Sequence, residues 1–367
     1  MLTARSSRIV SALAIAALAL CGLPAPAGVH PRRPAQAKSK STAPSAANLF
    51  VRILQADDLF TYKGRQITIY WTTGRNTAVE VFHRPPDFRR IYYLDPESQR
   101  GRLLVSDGRQ EWQYDPRRSE VHHRLLSASS LDDDDLLSYT LLRANYLLDV
   151  DPLPRTYAER KVWLVTIKHP GGRLLARRFW IDDGSGLILK REIYHGDNKP
   201  AVTVAFTDIS FHVKPSPENA DVSRLAATSG GRIRLVEAPS AVEGSVPVAS
   251  LRSELGGKAY SPPALDGYRL VGASSTTVGG KPLLHLRYSD GLNLVSLFEQ
   301  RRTSPLRPTL ARPGMRETQI GPVRGHVSRR ASLTTLNWDT ASLNVTLMGE
   351  MGLDTLRALA LEAVKGR

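Results

Sequence analysis

The sequence predicts an α+β protein in two parts. A long antiparallel sheet partly covered by helices comes first, and a smaller α+β domain with its own antiparallel sheet and a terminal helix follows. Three observations carry this reading. Apolar and polar residues alternate in many short runs separated by Gly, Asp, Asn and Pro, the period-two signature of half-buried strands. Segments near residues 48–57, 133–148 and 353–364 have helical spacing instead. A polar stretch at residues 214–231 parts two β-rich regions of a 367-residue chain, which exceeds one typical domain.

At the start of the chain, Arg5 and Arg8 precede a charge-free run from Ile9 to Leu23, and Ala25-Pro26-Ala27 offers a small-x-small cleavage pattern. Residues 1–27 are therefore expected to be a cleaved signal peptide, which places the protein in the periplasm or another extracytoplasmic space. The run is shorter than the roughly 20 residues of a membrane span and is broken by Ser11 and Pro24. An uncleaved anchor is one alternative. A lipoprotein is the other, because Leu18-Ala19-Leu20-Cys21 resembles a lipobox with a large residue at Leu20. Cys21 is the sole cysteine, so neither a disulfide framework nor a zinc site is expected. Residues 28–47 are rich in Pro, Ala, Ser and Lys without apolar periodicity and read as a disordered tether.

The N-terminal domain spans residues 48–213. Its first helix puts Phe50, Ile53 and Leu54 on one face, with Asn48 as cap. Ile67, Ile69 and Trp71 then alternate with Gln66, Thr68 and Tyr70, and Val79 and Val81 continue in a second strand. Further strands are expected at 91–94, 103–105 and 111–114. The aspartates at 132–135 suit the first turn of a helix and lack the spacing of a calcium loop. Strands at 162–167, 175–181, 187–194 and 202–209 follow, joined by Gly- and Asp-rich turns. Two helices cover a sheet of about eight strands incompletely, so a curved sheet with an apolar hollow is expected. Its predicted lining is Ile67, Ile69, Trp71, Val79, Val81, Phe179, Ile181, Leu189, Val204 and Phe206, suited to acyl chains.

In the C-terminal domain, residues 232–367, strands are expected at 268–271, 283–288, 292–298, 332–338 and 343–348. Ser289-Asp290-Gly291 makes a hairpin, and Leu356, Leu359, Ala360 and Ala363 form one stripe of the last helix. Charge separates the halves. The chain carries 50 Lys and Arg against 35 Asp and Glu, yet residues 48–213 hold 24 basic and 22 acidic side chains while residues 232–367 hold 18 and 11. Outside the cytoplasm this field disfavours nucleic acid as partner and favours anionic lipid, lipopolysaccharide or an acidic protein segment. Eight arginines and one acid lie between residues 301 and 330. Arg301, Arg302, Arg329 and Arg330 are the candidate anion or partner contacts, since a guanidinium pairs two oxygens at once. A solvated basic loop is the alternative.

No phosphate loop, dinucleotide fingerprint, HExxH or GxSxG occurs. His122-His123, adjacent on a strand, point apart and chelate poorly, and Asp107 and Asp290 precede glycines as turn residues. Binding rather than catalysis is expected, with no metal or cofactor. The helix, Tyr62-Lys63-Gly64, residues 81–86 (VFHRPP) and residues 101–108 (GRLLVSDG) with Trp112-Gln113-Tyr114 resemble the LolA-like half-barrel, and within it the MucB/RseB family. Residues 263–268 (PALDGY) with 286–292 (LRYSDGL), then Leu336-Asn337-Trp338, resemble that family's C-terminal domain. The resemblance implies a membrane-peripheral regulator. It would bind the extracytoplasmic segment of an anti-sigma factor and limit its proteolysis, sensing lipid or mislocalised lipoprotein through the half-barrel. A lipid or lipoprotein carrier using the hollow alone is the first alternative, and an envelope hydrolase the second.

Overall fold

The computed structural model describes residues 43–125, 131–211, 213, 234–237, 244–245, 262–278, 280–302, 314–330 and 333–365. The expected signal segment, most of the tether, the linker 214–231, and Arg307 and Arg312 lie outside these residues. Helix α1 (Ala46–Leu59) starts earlier than expected because Ser45 is its cap, accepting the Asn48 amide at 3.2 Å. A meander follows: β1 (Tyr62–Tyr70), β2 (Arg75–Arg84), β3 (Phe88–Asp95), β4 (Leu103–Ser106), β5 (Gln110–Asp115) and β6 (Glu120–Leu125). Helix α2 (Leu131–Asn145) interrupts it. Then come β7 (Leu147–Val150), β8 (Arg155–Tyr157), β9 (Arg160–Lys168), β10 (Leu175–Asp182), β11 (Ile188–Tyr194) and β12 (Pro200–Ser210). Strand β13 (Arg234–Glu237) returns to the same sheet.

The strand order is β13-β6-β5-β4-β3-β2-β1-β12-β11-β10-β9-β7, with β8 on β9. Its two ends are β13 and β7, so the described sheet is open, a half-barrel rather than a closed one. Helices α1 and α2 cover the β9–β10 end, where Leu49 and Leu142 bury Trp163, Val165, Ile167 and Ile181. Farther along, Tyr62, Val79, Val81, Leu189 and Phe206 pack together. Helix α2 stops at Asn145 instead of running to 148. Leu147 and Leu148 instead open β7, paired with Lys168 and Ile167.

The second sheet contains β14 (Gly244–Ser245), β15 (Arg269–Val278), β16 (Lys281–Ser289), β17 (Leu294–Arg301), β18 (Arg316–Ile320), β19 (Val323–Arg330), β20 (Leu333–Asp339) and β21 (Leu343–Gly349). Their order is β14-β15-β16-β17-β21-β20-β19-β18. One face is buried under α3 (Leu353–Lys365), whose expected stripe of Leu356, Leu359, Ala360 and Ala363 packs on Leu286, Leu297, Leu336 and Leu347. Among the described residues no helix is long and apolar enough to cross a membrane.

Candidate functional site

Register decides what the hollow contains. Gln66 pairs with Val79 and Phe206, Thr68 with Val204, and Tyr70 with Val202. The polar set of β1 therefore shares a face with the apolar residues of β2 and β12. Ile67 pairs with Ala78 and Ala205, and Ile69 with Asn76 and Thr203, on the opposite face. Trp71 stands on that opposite face too, 56% exposed, its indole N–H donating to Thr203 Oγ1 at 2.8 Å. The period of β1 was legible, but its phase was not. The phase is set against β12, where Gly64 lets the strands close up and a bulge falls between Arg65 and Gln66. A Cβ on Gly64 would strike the Asp208 carbonyl.

Of the remaining predicted lining, Val81, Val204 and Phe206 border a cavity of about 280 Å³ between α1 and the sheet, together with Ile53, Ile91 and Leu187. Val79 borders an adjoining open trough of about 740 Å³ with Gln66, Thr68, Tyr70 and Tyr93. Leu189 is fully buried in the core beside Phe206. Phe179 and Ile181 lie beneath the helices, Ile181 fully buried in the α1–α2 core and Phe179 packed against it.

The cavity also holds charge. Asp57, on the last turns of α1, accepts the Tyr62 hydroxyl at 3.1 Å and the Arg89 guanidinium at 2.9 Å. His83 Nε2 donates to the Asp57 carbonyl at 2.7 Å. Burial and the Asp57 charge push the Tyr62 phenol well above its ordinary range, so it remains a neutral donor. Across the cavity Arg191 is registered between Val204 and Phe179. Apolar walls with Arg89 paired to Asp57 and Arg191 in the lining can accept a molecule with an apolar body and an anionic head. Sequence reading missed Arg191, Asp57 and Gln66, since each looks like an ordinary surface residue until the register is known.

A second polar assembly joins the two sheets. Asp290, buried in the β16–β17 turn, accepts the Leu292 and Asn293 amides at 2.8 and 2.6 Å through Oδ1. Its Oδ2 accepts the Tyr146 hydroxyl at 2.6 Å and Asn293 Nδ2 at 3.0 Å. Arg177, also buried, donates to Asn293 Oδ1 at 2.6 Å. Asn145 Nδ2 donates to the carbonyls of Gly267 and Asp290 at 2.8 and 3.0 Å. Gly291, at φ 91°, sits so close to α2 that a Cβ would run into the Leu142 amide nitrogen. Burial, then the Asp290 charge, pushes up the Tyr146 and Tyr268 phenols. Asp290 is a turn residue, as its sequence suggests, and its second oxygen also holds the two sheets together.

The four arginines are not brought together. Arg301 pairs with Leu343 at one end of the second sheet. Arg329 and Arg330 pair with Thr334 and Leu333 at the other end of β20. Arg302 is mostly buried and donates to the Thr340 carbonyl at 3.0 Å, with Asp339 4.0 Å away. Neighbours in an arginine-rich stretch of sequence were separated because β18 to β21 fold as a meander. His122 contacts Glu120 at 3.2 Å while His123 contacts Gln110 at 2.9 Å.

No family model and no curated protein matches the chain. Solved structures do. A chain of the Pseudomonas aeruginosa MucA/MucB complex is 19% identical over 86% of this chain and 97% of its own length, with a TM-score of 0.54. A crystal structure of MucB in complex with MucA(peri) is 18% identical over 87% of this chain and 98% of that one, with a TM-score of 0.53. The chain thus has the fold of MucB through both sheets.

Proposed function

We propose that this chain is an extracytoplasmic, membrane-peripheral regulator of the MucB/RseB type. It binds the extracytoplasmic segment of an anti-sigma factor and controls that segment's proteolysis in response to a lipid or lipoprotein signal. The supporting observation is the end-to-end likeness, both sheets in one chain, to MucB as solved with MucA. A carrier that used the hollow alone would not need the second sheet. No bond is made or broken in this reading. A ligand in the cavity favours one arrangement of the two sheets over another, and the partner binds the two arrangements with different affinity.

The test is binding of the purified full chain to the extracytoplasmic segment of a co-encoded anti-sigma factor, with and without long-chain fatty acid or lipopolysaccharide. Complex formation that slows cleavage of the segment, and that the lipid reverses, is expected. Absence of any complex at micromolar concentrations rejects the reading.

A further inference from the structure

The outer edge of β6 carries a strand from outside the meander. Arg234–Glu237 lies parallel to it, in a sheet whose other pairings are antiparallel among the described residues. Arg234 stands opposite Glu120, Leu235 opposite Val121, Val236 opposite His122 and Glu237 opposite His123. The Arg234 amide donates to the Ser119 carbonyl at 2.9 Å, and its guanidinium pairs with Glu120 Oε1. Glu120 Oε2 is held by His122 at 3.2 Å.

The two sides of this contact differ. The Glu120 side chain is 12% exposed and part of the sheet, whereas the Arg234 side chain is 73% exposed. Leu235 is 61% exposed, so the added strand buries little. A four-residue strand of this kind is weak by itself and is retained because the chain keeps it at high local concentration.

We propose that the β6 edge is a strand-addition site for an extended peptide of another protein, led by arginine and followed by two apolar residues. Arg234–Glu237 is its resident occupant, which such a peptide displaces. Main-chain hydrogen bonds supply the affinity, and the Glu120 carboxylate, paired to the leading guanidinium, sets the register. The resident segment itself defines the ligand chemistry, so the inference stands whether or not the chain regulates an anti-sigma factor.

The probe is a fluorescein-labelled peptide with the sequence of residues 231–239, titrated against the full chain by anisotropy. In an Arg234→Glu, Val236→Pro double variant the resident strand is expelled, and the peptide is expected to bind at least tenfold tighter than to the unaltered chain. Adding Glu120→Lys abolishes that binding, and a peptide with Glu in place of its strand-leading arginine restores it. Equal affinity for the unaltered and double-variant chains overturns the proposal. So does indifference to the Glu120 charge, or no binding to the double variant at 1 mM peptide. If the double variant does not fold, Arg234→Glu alone is followed by hydrogen exchange. Faster exchange in residues 120–123, slowed again by the unaltered peptide, is expected, and unchanged protection overturns the proposal.

Discussion

The hollow over β1–β3 and the junction around Asp290 are both polar sites lined by tyrosine and arginine, yet they are built in opposite ways. At the junction each oxygen of Asp290 has two donors, and Tyr146, Asn145, Asn293 and Arg177 hold one another in place. In the hollow the Asp57 carboxylate is held by Tyr62 and Arg89, but Arg191, Gln66 and Thr68 line the open space of the cavity and trough. A saturated network specifies one arrangement and resists change. An unsaturated one leaves donors for a molecule that arrives later.

The largest expected effect comes from forcing the junction apart. Gly291→Val adds both a left-handed backbone strain and a clash with α2, at a cost of about 4 kcal/mol, read as a fall in the denaturant midpoint. Asp290→Ala leaves the Tyr146 hydroxyl and two amides without their acceptor and costs about 3 kcal/mol. If either variant melts like the unaltered chain, the junction is not the rigid partner in this comparison.

Acid should weaken the same region less. His195 lies against Gly352, both ring nitrogens buried without a partner. Burial, Arg177 and Arg329 hold its pKa below the ordinary value, against the pull of Glu350 and Asp197. His169, 5.4 Å from the Tyr146 ring, is lowered by burial and Arg177 against Asp290. Both therefore take up a proton at lower pH in the folded state than in the unfolded chain, which protonates first as pH falls below about 6.5. Their contribution is complete above that value and declines as pH drops towards the depressed folded values. Denaturant midpoints at pH 7.5 and 5.5 should differ in that sense, and His195→Gln should reduce the difference. The smallest effect on stability belongs to the hollow. Gln66→Trp should change stability by less than about 1 kcal/mol while lowering affinity for a fatty acid at least tenfold.

The sequence made the architecture legible where alternation and turn residues agreed, as in β9 to β12 and in the stripe of α3. It hid the site for three physical reasons. The phase of β1 depends on its partner strands, so Gln66, not Ile67, faces inward. The role of Tyr146 depends on a turn far along the chain. Strand β6 places two adjacent histidines before Arg124 and has too little alternation for its bounds to be read, and β13 gains its strand partner only at the β6 edge.

That last strand also sets a length. Between β13 on one sheet and β14 on the other lie only residues 238–243, which at full extension reach about 24 Å. With the Asp290 junction open, the second sheet could still swing only within that radius and would find its seat again quickly. Were β13 to leave its edge, the covalent path from β12 to β14 would span residues 211–243, a contour several times longer. Four residues at a sheet edge therefore shorten the covalent path between the two sheets.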